Sequence, residues 1–515
     1  MSDDFPRLRA PEGEGHAALD FGTAFYESRA RAPGKMAAID ERHSWDWATF
    51  GDLALRVAGT LAALGVGPGA RVAVLSQNSV EYLALYAGIL CAGACVVPLP
   101  TSAQASVLRT MLDDCGARLL FASGSYADPA RRLGAERLVD LDRLSDWASA
   151  APLPAPVMPD PDDFFDLIYS SGTTGTPKGI IHDHRFRSRQ LLRMPRFGLD
   201  GDARLLMSTP LYSNTTLVAA LPVMAKGGTI VSMDKFEVTR FLKLSQQHRI
   251  TNAMLVPVQY MRIMAAPEFE HYDLSSYRSK TSTSAPLPAP LIRDVLARWP
   301  GELYEIYGMT EGGLSTVLDC RAHPDKLDTV GKPAEGCDLK VIDEAGVELP
   351  SGSFGEIVGR GGPMMQGYLN APDKTAEARW ISPEGADFIR TGDMGRLDED
   401  GFLHLLDRKK DMIISGGFNI YAADLERVLR DHPDVADVAV IAVPSEAWGE
   451  TPLALVVAEP GTAPDPQAIC DWANARLGRT QRISAVELRD DLPRSAIGKI
   501  QKRELRAPYW AESGV

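Results

Sequence analysis

The stretch "DFFDLIYSSGTTGTPKG", Asp163 to Gly179, changes character halfway along. Its first part is apolar enough to form a buried strand. From Tyr169 it becomes "YSSGTTGTPKG", eleven residues that include three glycines, two serines, three threonines, one proline and one lysine. A strand that runs into such a loop places the loop at a strand end, where ligands bind in α/β folds. Glycines let backbone N–H groups approach a polyanion, hydroxyls add donors, and Lys178 adds charge, so the loop reads as a phosphate clamp. A Walker A loop needs Gly-Lys followed by Ser or Thr. Here Lys178 follows Pro177 and precedes Gly179, which disfavours a P-loop nucleotide hydrolase.

Outward from the loop, the chain alternates between two periodicities. "WATFGDLALRVAGTLAALGVGPG" has helical spacing and ends on glycines, and "RVAVLSQ" is a short β-rich run. "RLLMSTPLY", "GGTIVSM" and "ITNAMLVPV" repeat the strand pattern with helical segments between them, which predicts an α/β domain with parallel strands. Ala148 to Asp163, rich in proline and acid, is expected to be a loop or linker. After Gly331 the apolar runs are short and punctuated by glycine and proline, as in antiparallel strands with tight turns. Near Asp407 a basic cluster and a glycine pair lead into an amphipathic helix, followed by strand-like "VADVAVIAVPS" and "TPLALVVAEP". The predicted architecture is a large N-terminal domain of α/β subdomains with a small β-rich subdomain, then a small mobile α+β domain. The boundary is placed between residues 1–407 and 408–515.

Composition excludes several classes. With 515 residues, 45% of them hydrophobic, the chain can bury several packing units. A net charge of −14 argues against non-specific binding to nucleic acid or anionic membrane. The six cysteines are scattered, without a disulfide framework or metal-type knuckles. The polar, acidic start "MSDDFPRLRAPEGEGH" does not resemble a signal peptide, and the reading is cytoplasmic. "VEYLALYAGILCAGACVVPL" carries Glu81 and two tyrosines and is expected to be a buried helix followed by a strand, not a membrane span. His182 and His184 have a spacing compatible with a metal, but no third ligand cluster lies nearby in sequence.

Five motifs in fixed order narrow the reading. "YSSGTTGTPKG" is similar to the signature loop of the adenylate-forming superfamily of acyl-CoA synthetases, non-ribosomal adenylation domains and luciferases. "YGMTEGG" (Tyr307 to Gly313), "TGD" (Thr391 to Asp393), "DRKKDMIISGGFNIYAADLE" (Asp407 to Glu426) and "PRSAIGKIQKREL" (Pro493 to Leu505) resemble its later motifs. The chain most resembles a bacterial AMP-forming acyl-CoA ligase.

The resemblance implies two steps: a carboxylate attacks the α-phosphate of ATP and expels pyrophosphate, then the thiol of coenzyme A displaces AMP. It assigns Thr173, Thr174, Gly175 and Lys178 to the outer phosphates, Thr310 to the α-phosphate, and Glu311 to Mg²⁺. Lys499 would act on the acyl carboxylate and α-phosphate as charge develops. Asp393 and Arg408 are expected at the ribose, with Tyr307 and the segment Ser284, Ala285, Pro286 at the adenine. Lys410 would be the hinge about which the C-terminal domain turns. Ser415, Gly416 and Gly417 would line the thiol tunnel, and Trp448 would meet CoA. The basic set Arg494, Lys502, Arg503 and Arg506 could equally meet CoA phosphates or form a solvated helix. Tyr212, Ser213, Asn214, Thr283, Gly308, Met309 and Gly313 are expected to wall the acyl pocket, which suits an aryl, arylalkanoic or medium-chain acid. The motif "PLYS" has Ser213 where many relatives have a histidine. Loading of a carrier protein and a luciferase-like oxygenase remain alternatives, and a homodimer is left open.

Overall fold

The computed structural model describes residues 19–170, 177–408, 411–415, 418–445, 447–478, 481–495 and 498–512. Two compact units emerge, one formed by Met1–Leu339 with Gly359–Ile389 and the other by Lys340–Val358 with Arg390–Val515. The protein is thus a mixed α/β chain with a large N-terminal domain and a small C-terminal one.

The first unit is built on two sheets. In the seven-stranded sheet the order is Gly367–Tyr368, Lys178–Asp183, Phe164–Ser170, Cys95–Pro98, Arg71–Leu75, Leu119–Ala122, Arg137–Asp140. The last five strands are parallel, as the helix–strand alternation predicts. Phe164–Ser170 and Lys178–Asp183 are instead antiparallel, with Tyr169 opposite Gly179 and Ser170 opposite Lys178. The strands on either side of the glycine-rich stretch are therefore antiparallel neighbours, because the segment "GIIHD" after it returns directly alongside its predecessor. A nine-stranded sheet, parallel in its middle, carries Ser279–Thr283, Glu302–Gly308 and the antiparallel strand Ser315–Asp319.

The core contains helices whose sequences state their own burial. Every residue of Val80–Cys91 is buried, and its one charge, Glu81, is met by Arg42 at 3.0 Å, as expected of a central helix. Ser79 caps it, accepting from the Tyr82 N–H at 3.1 Å, and Asp46 caps Trp47–Ala63 through the Thr49 N–H at 2.8 Å. The strand Cys95–Pro98 follows, as the sequence predicts. The proline-rich segment before Phe164 has no regular structure but is strapped to the core, with Leu153 and Val157 N–H groups donating to the Leu55 and Cys91 carbonyls. Among the described residues no helix is long and apolar enough to cross a membrane.

A further sheet includes Asp387–Leu397, which pairs antiparallel with Leu403–Arg408. In the second unit the long hairpin Val435–Ser445 and Gly449–Ala458 belongs to another sheet. Its second strand, Gly449–Ala458, also pairs with Ile413–Ser415 and with Ala485–Leu488. Helices Ala422–Arg430 and Pro466–Asn474 bury Leu425, Leu429, Ile469 and Ala473 in its core.

Candidate active site

Two of the predicted motifs meet in the first unit. Strand Glu302–Gly308 delivers "YGMTEGG" as a tight loop, in which Gly312 and Gly313 take φ of 70° and 76°. Glycine is required twice over at position 312, since a Cβ there would lie 2.3 Å from the Pro363 carbonyl oxygen. The loop is pinned along its backbone. The Gly313 N–H donates to the Pro363 carbonyl at 2.6 Å, and the Met365 N–H donates to the Glu311 carbonyl at 2.9 Å.

Side chains complete the junction. The Tyr368 hydroxyl donates to Glu311 Oε1 at 2.8 Å, and the Lys178 ammonium lies 4.9 Å from the centre of the Tyr368 ring. Burial, and then the Glu311 charge, push the Tyr368 phenol above its ordinary range, so it stays a donor. A cation at the end of the glycine loop, an aromatic face and a carboxylate thus stand in one row. Thr310 and Glu311 are half-buried, and Met309 packs beside Ile180, Met365 and Tyr368.

Beneath this row lies a buried polar network. Asp166, inside the strand that leads to the glycine loop, is wholly buried and receives the Tyr86 hydroxyl at 2.8 Å. Arg187 grips it through Nε and Nη2 at 3.0 Å each, and His182 Nδ1 lies 2.7 Å from Oδ1. Burial alone would raise the carboxyl, but Arg187 and then His182 outweigh it and hold Asp166 at about 2. Arg187 also donates to Gln190 at 2.6 Å and to Asn214 at 2.9 Å. His184 stands apart from this network. It is buried against Phe165, its pKa lowered by burial, which fits a structural role. Neither histidine belongs to a metal-type cluster among the described residues.

The other expected residues sort by location. Thr173, Thr174 and Gly175 lie outside the described residues, as do Lys410, Gly416 and Gly417. Ser284 has φ of 79°, uncommon for a residue with a side chain, and its Oγ lies 2.9 Å from Thr215 Oγ1. This bond ties the segment Ser284, Ala285, Pro286 to the helix Asn214–Lys226, whose start carries Tyr212, Ser213 and Asn214. Thr283 ends the strand before Ser284, half-buried, and Tyr307 is half-buried on the strand leading to exposed Gly308.

In the second unit Asp393 and Arg408 are directly opposed in the register of neighbouring antiparallel strands. Ser415 is opposite Gly449, the residue after Trp448, and Trp448 is 61% exposed. Lys499 is exposed on a short hairpin closed by the Arg494–Ile500 bridge, with the Ser495 N–H donating to the Lys499 carbonyl at 2.8 Å. Three of the four basic residues weighed for CoA phosphates are already paired within the unit. Arg494 is bonded to Asp437, Lys502 lies 2.8 Å from Glu426, and Arg506 lies 2.8 Å from Asp411.

Sequence reasoning missed Tyr368, Asp166 and Arg187. An acid in the middle of an apolar strand was the one available signal, for Asp166. Arg187 sits among three other basic residues in "HRFRSR" and has none, and Tyr368 meets Glu311 only through tertiary packing.

Comparison with known proteins agrees with this geometry. The AMP-binding enzyme family matches residues 25–369, and the AMP-binding enzyme C-terminal domain matches residues 424–499. A feruloyl-CoA synthase of Amycolatopsis sp is 36% identical over 93% of this chain and 97% of its own. A long-chain-fatty-acid–CoA ligase, FadD13 of Mycobacterium tuberculosis, is 33% identical over 90% of this chain and 93% of its own. The ATP-bound crystal structure of MatB from Rhodopseudomonas palustris superimposes with a TM-score of 0.87 at 30% identity, covering 96% of this chain and 99% of that one. The chain belongs to the AMP-binding enzyme family, within the adenylate-forming superfamily.

Proposed function

We propose that this AMP-forming acyl-CoA synthetase acts on an aryl, arylalkanoic or medium-chain acid, with the residue roles given below. ATP and the acid give an acyl-adenylate and pyrophosphate, and coenzyme A then takes the acyl group and releases AMP. The observation that carries the reading is the row Lys178, Tyr368, Glu311, which joins the glycine loop to the "YGMTEGG" loop.

Charge dictates the division of labour. Pyrophosphate leaves with several negative charges, and preorganised cations and donors around it lower the barrier. Lys178 and the hydroxyls of Thr173 and Thr174 hold the outer phosphates, and Thr310 meets the α-phosphate. Glu311 suits Mg²⁺: Tyr368 fixes one carboxylate oxygen and leaves the other, and this ion is commonly held by one or two carboxylates plus substrate phosphates. Bound there, Mg²⁺ would neutralise phosphate charge. Asp393 accepts from the ribose hydroxyls beside Arg408, and Tyr307 lies along the adenine with Ser284, Ala285 and Pro286.

Lys499 supplies a flexible ammonium where the carboxylate attacks. The C-terminal domain then turns about Lys410, so that Ser415, Gly416, Gly417 and Trp448 receive the pantetheine thiol. The acid lies against Tyr212, Ser213, Asn214, Thr283, Gly308, Met309 and Gly313. Relatives named for ferulate, indoleacetate and long-chain fatty acids support an acid with a bulky apolar body.

A panel of cinnamic, arylacetic and fatty acids, assayed for AMP with and without CoA, tests this reading. Acid-dependent AMP and a matching acyl-CoA are expected. AMP release without acid, or acylation of a carrier protein but never of CoA, would contradict it.

A further inference from the structure

His182 is the one member of the buried network that reaches the "YGMTEGG" loop. Its Nε2 lies 2.7 Å from the Thr310 carbonyl oxygen, while Nδ1 lies between Asp166 Oδ1 at 2.7 Å and Arg187 Nη2 at 2.9 Å. A carbonyl can only accept, so Nε2 carries the proton and donates it, whatever the state of Nδ1. The ring has no freedom to turn away. It is wholly buried and stacks on Phe186 with centroids 4.1 Å apart and planes 12° from parallel.

We propose that His182 is a positioning residue for adenylation: it fixes the main chain at Thr310, and with it the side chains of Thr310 and Glu311. The inference rests on the roles proposed above for those two residues. The neighbouring bonds explain why this one matters. Glu311 O, Gly313 N–H and Glu311 Oε1 are each tied to the segment 363–368. The His182 bond ties the loop directly to the neighbouring strand Lys178–Asp183, which pairs with Gly367–Tyr368 and begins with Lys178. Asp166 and Arg187 in turn hold the imidazole, and Arg187 reaches Asn214 at the start of the helix expected beside the acid. A single rigid frame therefore sets the distance between the outer-phosphate lysine and the α-phosphate threonine.

The test compares His182→Leu, which removes the donor at similar bulk, with His182→Gln, whose amide N–H can reach the same carbonyl. Hydrogen exchange of the Gly312, Gly313 and Met365 amides reads the loop independently of turnover. His182→Leu should accelerate that exchange, and His182→Gln should restore protection. Acid-dependent exchange of pyrophosphate into ATP should lose roughly 30- to 100-fold in kcat with His182→Leu, because small misplacements of reacting groups cost about that much. Thioester formation from synthetic adenylate should stay within about threefold of the parent, since AMP departs without a new phosphate contact. Unchanged loop protection in His182→Leu would overturn the proposal, as would equal loss in both half-reactions or a His182→Gln variant no better than His182→Leu. A loosened loop with undiminished pyrophosphate exchange would leave the anchor standing and refute the roles given to Thr310 and Glu311.

Discussion

Glu311 and Lys499, the two groups proposed to act in adenylation, sit in opposite surroundings. Glu311 is half-buried on a loop whose backbone is bonded at successive residues and which rests on a network with no exposed member among Asp166, His182 and Arg187. Lys499 is exposed, beside the Arg494–Ile500 bridge that closes a short hairpin. The contrast separates two tasks. Phosphates and their counter-ion need donors already aimed at fixed points, which a dense low-dielectric frame provides. A lysine with the role proposed for Lys499, needed in one half-reaction and not in the other, is best carried on a surface element, where moving it breaks little packing.

The comparison predicts that damage to the frame acts on stability, and damage to the hairpin on activity alone. Asp166→Asn, which removes the counter-charge of buried Arg187, should cost about 3–5 kcal/mol of stability, read from the urea midpoint. A variant as stable as the parent would show that the network is not tightly built. Lys499→Ala should lower acid-dependent pyrophosphate exchange by roughly 10²- to 10³-fold with the melting temperature unchanged, and a destabilised variant would break the contrast.

A pH effect should belong to the first unit. Burial pushes the Glu305 carboxyl, on the strand leading to Tyr307, up to about 8 from an ordinary 4.5. The folded state therefore holds a proton that the unfolded chain releases. Its contribution to stability is complete below about 4.5 and is lost as pH rises through about 8. Glu305→Gln should flatten the decline in melting temperature across that window, and an unaltered slope would assign it to other groups. The smallest effect is expected at the exposed Trp448. Trp448→Ala should raise the KM for CoA by about three- to tenfold while leaving pyrophosphate exchange intact.

Much of the fold was legible because it follows from local pattern. The apolar Val80–Cys91 helix, the strand ending at Ser170 and the parallel strands all obey burial and periodicity. The antiparallel pairing across the glycine loop was not legible, since a returning segment of five residues suits a parallel or an antiparallel partner equally. The motifs named the residues expected around the nucleotide but not what holds them. Tyr368 joins Glu311 from 57 positions away in sequence, and His182 joins Thr310 from 128 away. No local rule marks contacts of that kind. In the second unit, the acids that pair with Arg494, Lys502 and Arg506 likewise come from distant positions, Asp437, Glu426 and Asp411.

Tracing the acid's own oxygen tests the acyl-adenylate route most directly. A carboxylic acid carrying heavy oxygen in both carboxyl positions is turned over with ATP and CoA, and the nucleotide product is analysed by mass spectrometry. Attack of the carboxylate on the α-phosphate forms the acyl–phosphate bond through one labelled oxygen, and thiolysis leaves that oxygen on the nucleotide. The account predicts AMP bearing one labelled oxygen for each acyl-CoA formed. Unlabelled AMP, or label recovered in inorganic phosphate beside ADP, would contradict it.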